Sequence, residues 1–192
     1  MHDLTKNFAA AGLTFLGFPD SAAPIIPPTL ATQAVSYASG AARAAVQVCP
    51  DDLQFLSKAN CAWYEMSANS GLFDGGKFFV AVKHAVAGET QMWKWAEVGL
   101  ADQWDIMGEG ASRILGTGSG RPGFIMLSLD GNVIVRGDTW EQLIDCVLIR
   151  APQRIQEFRR HAAWVRDRPR IEPKERVAIE RWLSLDAARG RS

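Results

Sequence analysis

Cys61 and His84 are the one pair of residues in this sequence that resembles a catalytic nucleophile with its base. A thiol is nucleophilic at neutral pH only when its pKa is lowered, for example by a helix N-terminus or a neighbouring imidazolium. Cys61 falls in the middle of a predicted helix, and His84 falls on a predicted strand. The pattern therefore favours a buried structural cysteine, and a small Cys/His hydrolase or transferase is kept as an alternative function.

Metal ligands are not grouped in the sequence. The histidines are far apart, and the neighbouring carboxylates match no known metal-binding loop. The residues considered are His2, His84, His161, Asp102, Asp105 and Glu109. We expect no metal and no cofactor.

The glycine-rich segment at residues 116–123, GTGSGRPG, invites comparison with phosphate-binding loops. It lacks the Lys-Ser/Thr ending of a P-loop, and it precedes a predicted strand where phosphate loops follow one. It therefore predicts a flexible connection, in which Arg121 could still contact an anion.

The last part of the chain is rich in arginine. Residues 150–192 contain 12 Lys+Arg and 6 Asp+Glu, which leaves 9 basic against 15 acidic residues in positions 1–149. Arginine outnumbers lysine by 11 to 1 in this segment. The guanidinium group forms bidentate contacts with carboxylate or phosphate and stacks on aromatic faces. Solvated helix faces, or pairing with the acidic part of the same chain, would explain the cluster equally well.

This cluster supports the leading functional prediction, a non-catalytic interaction or regulatory protein. We expect another protein as the partner, and a nucleic-acid-associated regulator that uses the same arginines is the alternative. The predicted contact residues are Arg154, Arg159, Arg160, Arg166, Arg168, Arg170, Trp164 and Trp182. Seven tryptophans in 192 residues indicate a large aromatic core or an aromatic contact surface.

Cellular location is predicted from what the sequence lacks. No apolar run reaches the length of about 20 residues that a membrane span requires. Cys49, Cys61 and Cys146 are odd in number and widely spaced, so they indicate no disulfide framework. A first core helix explains the apolar segment at residues 8–18 better than a signal peptide does. We expect a cytoplasmic protein without a membrane partner.

Residues 124–149 have the strongest structural pattern and predict a strand, a turn, a second strand and a helix. Asp130-Gly131 suits a two-residue type I′ turn between antiparallel strands at 124–129 and 132–136. Asp138 and Glu141 resemble a capping box. Apolar side chains then recur at helical spacing in Trp140, Leu143, Ile144, Val147 and Leu148.

Other segments predict mainly helices. Helices are expected at residues 3–16, 29–48, 51–68 and 152–165, and a last helix should begin at Pro173. Residues 78–86 predict a third strand. Residues 90–107 fit either a helix or a strand, and the longer periodic match favours the helix.

The predicted fold class is α+β. We expect a small antiparallel sheet of three to four strands packed with helices, together with a helical basic C-terminal extension. The predicted domain division is a core at residues 1–149 and an arginine-rich extension at residues 150–192 that packs on it.

Overall fold

A computed structural model of the chain describes residues 4–20, 22–49, 51–84, 92–115, 123–140 and 143–189. These residues form an α+β fold, in which one antiparallel sheet of seven strands lies between two layers of helices. The elements in chain order are α1 (Leu4–Ala9), β1 (Leu13–Gly17), α2 (Pro28–Ala31), β2 (Arg43–Val48), α3 (Phe55–Asn69), β3 (Lys77–His84), β4 (Met92–Leu100), α4 (Ser112–Leu115), β5 (Phe124–Leu127), β6 (Val133–Thr139), β7 (Ile144–Arg150), α5 (Gln156–Arg166) and α6 (Pro173–Arg189). Across the sheet the order is β1-β4-β3-β5-β6-β7-β2.

The α+β class is confirmed, but the prediction of three to four strands is wrong because the sheet has seven. The segments at 3–16 and 29–48, each predicted as a single helix, instead contain a short helix followed by a strand. The strand is β1 in the first segment and β2 in the second. The ambiguous segment at 90–107 contains β4, which pairs with both β3 and β1. The preference for a helix there is wrong.

The hairpin of β5 and β6 is confirmed, but its turn is not of type I′. Gly131 has φ of +74°, whereas Asp130 does not adopt positive φ. The connection is a longer loop, closed where the amide of Ser128 donates to the carbonyl of Val133 at 2.9 Å. Asp130 Oδ1 accepts a hydrogen bond from the amide of Asn132 at 2.9 Å and stabilises the loop.

The helix predicted after Asp138 is also wrong, because residues 144–150 form the strand β7. Asp138 caps no helix; its Oδ2 lies 2.6 Å from Nη2 of Arg136. Trp140 is exposed instead of packed on a helix face. Glu141 and the glycine-rich segment at 116–122 lie outside the described residues.

The predicted strand β3 and helices α3, α5 and α6 are confirmed, and α6 begins at Pro173 as predicted. The Pro ring has a fixed φ suited to a first helical turn, and the amide that Pro lacks would have no partner there.

Each face of the sheet has its own apolar core. The first core packs α1, α3 and α4 against the sheet through residues such as Phe8, Trp63, Phe78, Leu115 and Met126. The second packs α2, α5 and α6 against the opposite face through residues such as Leu30, Phe79, Trp95, Phe158 and Trp182. Burying a large apolar side chain contributes about 1.5–3 kcal/mol, so α5 and α6 are firmly placed on the sheet. The division into domains at residue 150 stays a prediction.

Candidate functional site

Helix α5 has one buried and one exposed face. Phe158, Ala162 and Val165 recur at a spacing of three or four residues and are buried in the second core. This spacing turns Arg160 and Trp164 to the opposite side of the helix. Trp164 is 55% exposed, which is a large solvent-exposed area for an indole side chain.

Arg168 holds the indole of Trp164 in place. The guanidinium carbon of Arg168 lies 3.6 Å from the centroid of the Trp164 ring, which is a close cation–π contact. Arg168 follows the last turn of α5, where its amide donates to the carbonyl of Val165 at 3.2 Å. The backbone therefore returns the guanidinium over the ring without a long loop.

His161 supports Trp164 from within the same helix. Its ring centroid lies 5.5 Å from that of Trp164 and 4.8 Å from that of Tyr37, on which it stacks. Nε2 of His161 contacts Oε1 of Gln33, whose own Nε2 donates to the carbonyl of Thr29 at 3.1 Å. The amide of Gln33 is thereby oriented, so Nε2 of His161 must be the protonated nitrogen that donates.

Burial, followed by the charge of Arg168, lowers the pKa of His161. At neutral pH the imidazole is therefore uncharged.

A further contact ties α2 to α6, because the hydroxyl of Thr29 donates to Oε1 of Glu175. The exposed residues are thus attached to α2, α5 and α6 together. We call Arg160, His161, Trp164 and Arg168 the α5 surface.

The arginines of this region differ in whether they already have a carboxylate partner. Arg160 pairs with Glu157, and Nε of Arg166 lies 2.8 Å from Oδ1 of Asp167. Among the described residues, no carboxylate pairs with the three exposed arginines Arg154, Arg168 and Arg170. Ionic contacts of exposed side chains contribute little to folding. Because these three guanidinium groups lack such a carboxylate partner, their N–H donors are available to an external anion.

Arg159 and Trp182 belong to the interior contacts of the helical layer. Nη2 of Arg159 donates to the carbonyl of Leu183 at 2.7 Å, and its guanidinium carbon lies 5.9 Å from the Trp182 ring centroid. Trp182 is only 2% exposed and packs edge-on against Phe158. The expectation that Trp182 lies on an exposed contact surface is therefore wrong, and it is left out of the α5 surface.

The structure thus brings together three of the predicted contact residues, Arg160, Trp164 and Arg168. His161 was not predicted as a contact residue, nor were its neighbours Tyr37 and Gln33. Gln33 and His161 are 128 positions apart. No local pattern could have predicted their contact, since it exists only because α2 and α5 cover the same face of the sheet.

Cys61 is exposed, so the prediction of a buried cysteine is wrong, and the contacts of Cys61 and His84 are with other residues. Sγ of Cys61 lies 3.4 Å from Oε1 of Glu65, and this hydrogen bond together with the charge of Glu65 raises the pKa of the thiol. His84 ends β3 and packs on Phe18, with 4.8 Å between ring centroids. The hydrogen bond to Glu65 and the charge of Glu65 both oppose formation of the Cys61 thiolate, which nucleophilic catalysis requires.

Comparisons with protein-family models, with curated proteins and with solved structures found no match to the chain. Within the described residues, no three His, Cys, Asp or Glu side chains form a group that could hold a metal ion. No helix in that part of the chain is both long enough and apolar enough to span a bilayer.

Proposed function

We propose that this chain is a non-catalytic interaction protein, with a regulatory role, that binds another protein through the α5 surface. The observation that carries the proposal is the exposure of Trp164 in a conformation already held by Arg168 and His161. Tryptophan and arginine are the residues most enriched among those that dominate binding energies. A side chain that is held before binding loses less conformational entropy on association.

The charges near the α5 surface favour a protein over a nucleic acid as the partner. Glu157 and Asp167 pair with Arg160 and Arg166, so these two arginines are already neutralised and less able to bind a phosphate backbone. A nucleic-acid-associated regulator is the second candidate, because Arg154, Arg168 and Arg170 lack carboxylate partners among the described residues. It predicts an affinity that falls steeply with salt, since binding phosphates releases counterions.

The third candidate, a Cys/His hydrolase or transferase, has less support because the pKa of Cys61 is raised.

We propose the cytoplasm as the location, since Cys49, Cys61 and Cys146 are all unpaired. Unpaired thiols are typical of reducing compartments.

The proposal is tested by affinity capture from native lysate with the tagged protein, with and without nuclease. Trp164→Ala is compared with Trp140→Ala, which removes another strongly exposed indole that does not belong to α5. The proposal is supported if a partner protein is still captured after nuclease treatment, is captured by Trp140→Ala, and is not captured by Trp164→Ala. Capture that is lost on nuclease treatment supports the nucleic-acid alternative, and equal capture by both variants contradicts a role for the α5 surface.

A further inference from the structure

We propose that the α5 surface recognises a carboxylate-bearing segment of its partner. An Asp or Glu side chain would bind the N–H edge of Arg168 while a neighbouring apolar side chain packs on Trp164. This inference rests on the proposed function and adds to it the chemical class of the ligand.

The first support is that the guanidinium N–H groups of Arg168 have no acceptor among the described residues. Stacking uses the flat face of a guanidinium, whereas its five N–H groups lie in the plane and point outward from the edge. The face of Arg168 is occupied by the Trp164 ring at 3.6 Å. No described residue accepts a hydrogen bond from its side chain. A carboxylate could therefore bind two of these N–H groups without breaking the stack.

The second support is that the carboxylate adjacent to Arg168 in the sequence is already paired. Asp167 precedes Arg168, but both of its oxygens accept hydrogen bonds from Arg166, at 2.8 and 3.0 Å. These bonds lower the pKa of Asp167, which remains ionised and paired at neutral pH. Arg166 and Asp167 thus neutralise each other and leave Arg168 as the cation beside the exposed indole.

The third support distinguishes a carboxylate from a phosphodiester chain. A nucleic-acid backbone is bound along a continuous run of cations that follows several phosphates. Here Glu157 lies beside Arg160 and Asp167 lies beside Arg166, so the run of positive charge is interrupted on both sides of Trp164. One guanidinium fork beside one aromatic face matches a single carboxylate with an apolar neighbour.

The experiment uses the full chain, nitrogen-15 labelled, and follows the indole N–H signal of Trp164 by NMR. That signal is assigned by its absence from the spectrum of Trp164→Ala. The probes are a short acetylated peptide of alternating Glu, Leu, Asp and Phe, its Gln and Asn counterpart, and a short oligothymidylate. We expect the acidic peptide to shift the signal and to bind at least ~10-fold more tightly than the amide peptide, since charge-assisted hydrogen bonds are about twice as strong as neutral ones.

Two variants with the same loss of charge provide the control. Arg168→Gln should weaken the acidic peptide by at least ~10-fold, which is the loss of one bidentate charge-assisted contact. Arg170→Gln should change it by less than about twofold, because an exposed charge without a fixed geometry contributes little.

Equal binding of the acidic and amide peptides would overturn the inference. It would also be overturned if none of the three probes shifted the indole signal of Trp164. A shift with the oligothymidylate alone would also overturn it and would favour the nucleic-acid alternative. If the capture experiment still depends on Trp164 in any of these cases, the proposed function stands and only the carboxylate recognition fails.

Discussion

Asp138 on β6 and Asp145 on β7 are direct cross-strand neighbours in the antiparallel sheet. Asp138 also pairs with Arg136, but Oδ1 of Asp145 is buried and has no hydrogen-bond partner among the residues that the structure describes. Burial, and to a lesser extent the charge of Asp145, raise the pKa of Asp138, while Arg136 acts in the opposite direction. Like charges placed directly opposite each other in a sheet are destabilising.

We therefore expect Asp145→Asn to increase the free energy of unfolding at pH 7 by about 0.2–1 kcal/mol, the range measured for cross-strand pairs. Because the folded pKa of Asp138 is raised, the native state takes up a proton at higher pH than the unfolded chain does. The penalty in the wild type therefore disappears as the pH falls toward about 4, the ordinary value for aspartate. The difference between the two proteins should shrink over the same range.

Urea denaturation at several pH values measures this difference. Asp102→Asn, at an exposed position outside the strands, is the matched control and should be neutral. A loss of stability at pH 7 in Asp145→Asn would mean that the carboxylate of Asp145 makes a contact that the fold requires.

The burial of β7 on both faces explains why part of the fold could not be predicted. Within β7, Ile144, Cys146 and Leu148 pack into the first core, whereas Ile149 packs into the second. A strand that is buried on both faces is apolar without alternation, and such a run cannot be distinguished from a buried helix by its period. The same holds for the apolar part of β4. The prediction would have needed the fact that helices cover both faces of the sheet.

The amphipathic helix α5 was easier to predict. Its buried residues, Phe158, Ala162 and Val165, were predicted to share one side, and this places Trp164 on the other. For α6, the spacing of the apolar residues predicts one apolar side with Val177, Ala178, Trp182 and Leu185. Trp182 is buried against Phe158, whereas Val177 is exposed. The contact of His161 with Gln33 is purely tertiary.

Trp182 provides a test of how firmly α6 packs on the sheet. Trp182→Ala should lower the free energy of unfolding by about 3–5 kcal/mol, the usual cost of truncating a buried aromatic side chain. Thermal or urea unfolding measures the loss. Trp140→Ala should change stability by less than about 0.5 kcal/mol because its indole is exposed. A small effect of Trp182→Ala would mean that the helical layer is loosely attached.

The pKa of His161 reports its closeness to Arg168. Burial is the larger cause that lowers this pKa, and the charge of Arg168 adds to it. Arg168→Gln should therefore raise the pKa of His161 part of the way toward its ordinary value, whereas Arg170→Gln should leave it unchanged. An NMR titration of the imidazole protons measures both shifts.

The same shift sets the sign of the pH dependence of folding. A lowered folded pKa means that the native state binds fewer protons than the unfolded chain as the pH falls below about 6.5. The contribution of His161 to stability is thus present above that pH and is lost as the pH falls through its folded pKa. Arg168→Gln should show a smaller loss, and an unchanged pKa of His161 would place the guanidinium away from the imidazole.

Cys61 provides a test of the enzymatic alternative. Because its pKa is raised by Glu65, we expect slow alkylation by iodoacetamide at neutral pH although the residue is exposed. Glu65→Gln should accelerate the reaction by several-fold, since a thiol with a less raised pKa is more often ionised. Burial raises the pKa of Cys146 to about 12, so that residue should not react in the folded protein. Rapid labelling of wild-type Cys61 would restore the catalytic alternative.

Binding through Trp164 is tested most directly by the affinity of the captured partner for two tryptophan variants, measured by calorimetry. Trp164→Ala should weaken binding by about 30-fold or more, which corresponds to the roughly 2 kcal/mol that defines a dominant contact residue. Trp140→Ala should bind like the wild type, and both variants should unfold within about 1 kcal/mol of it. Equal affinities of the two variants would contradict binding through Trp164 and place the binding surface elsewhere on the protein.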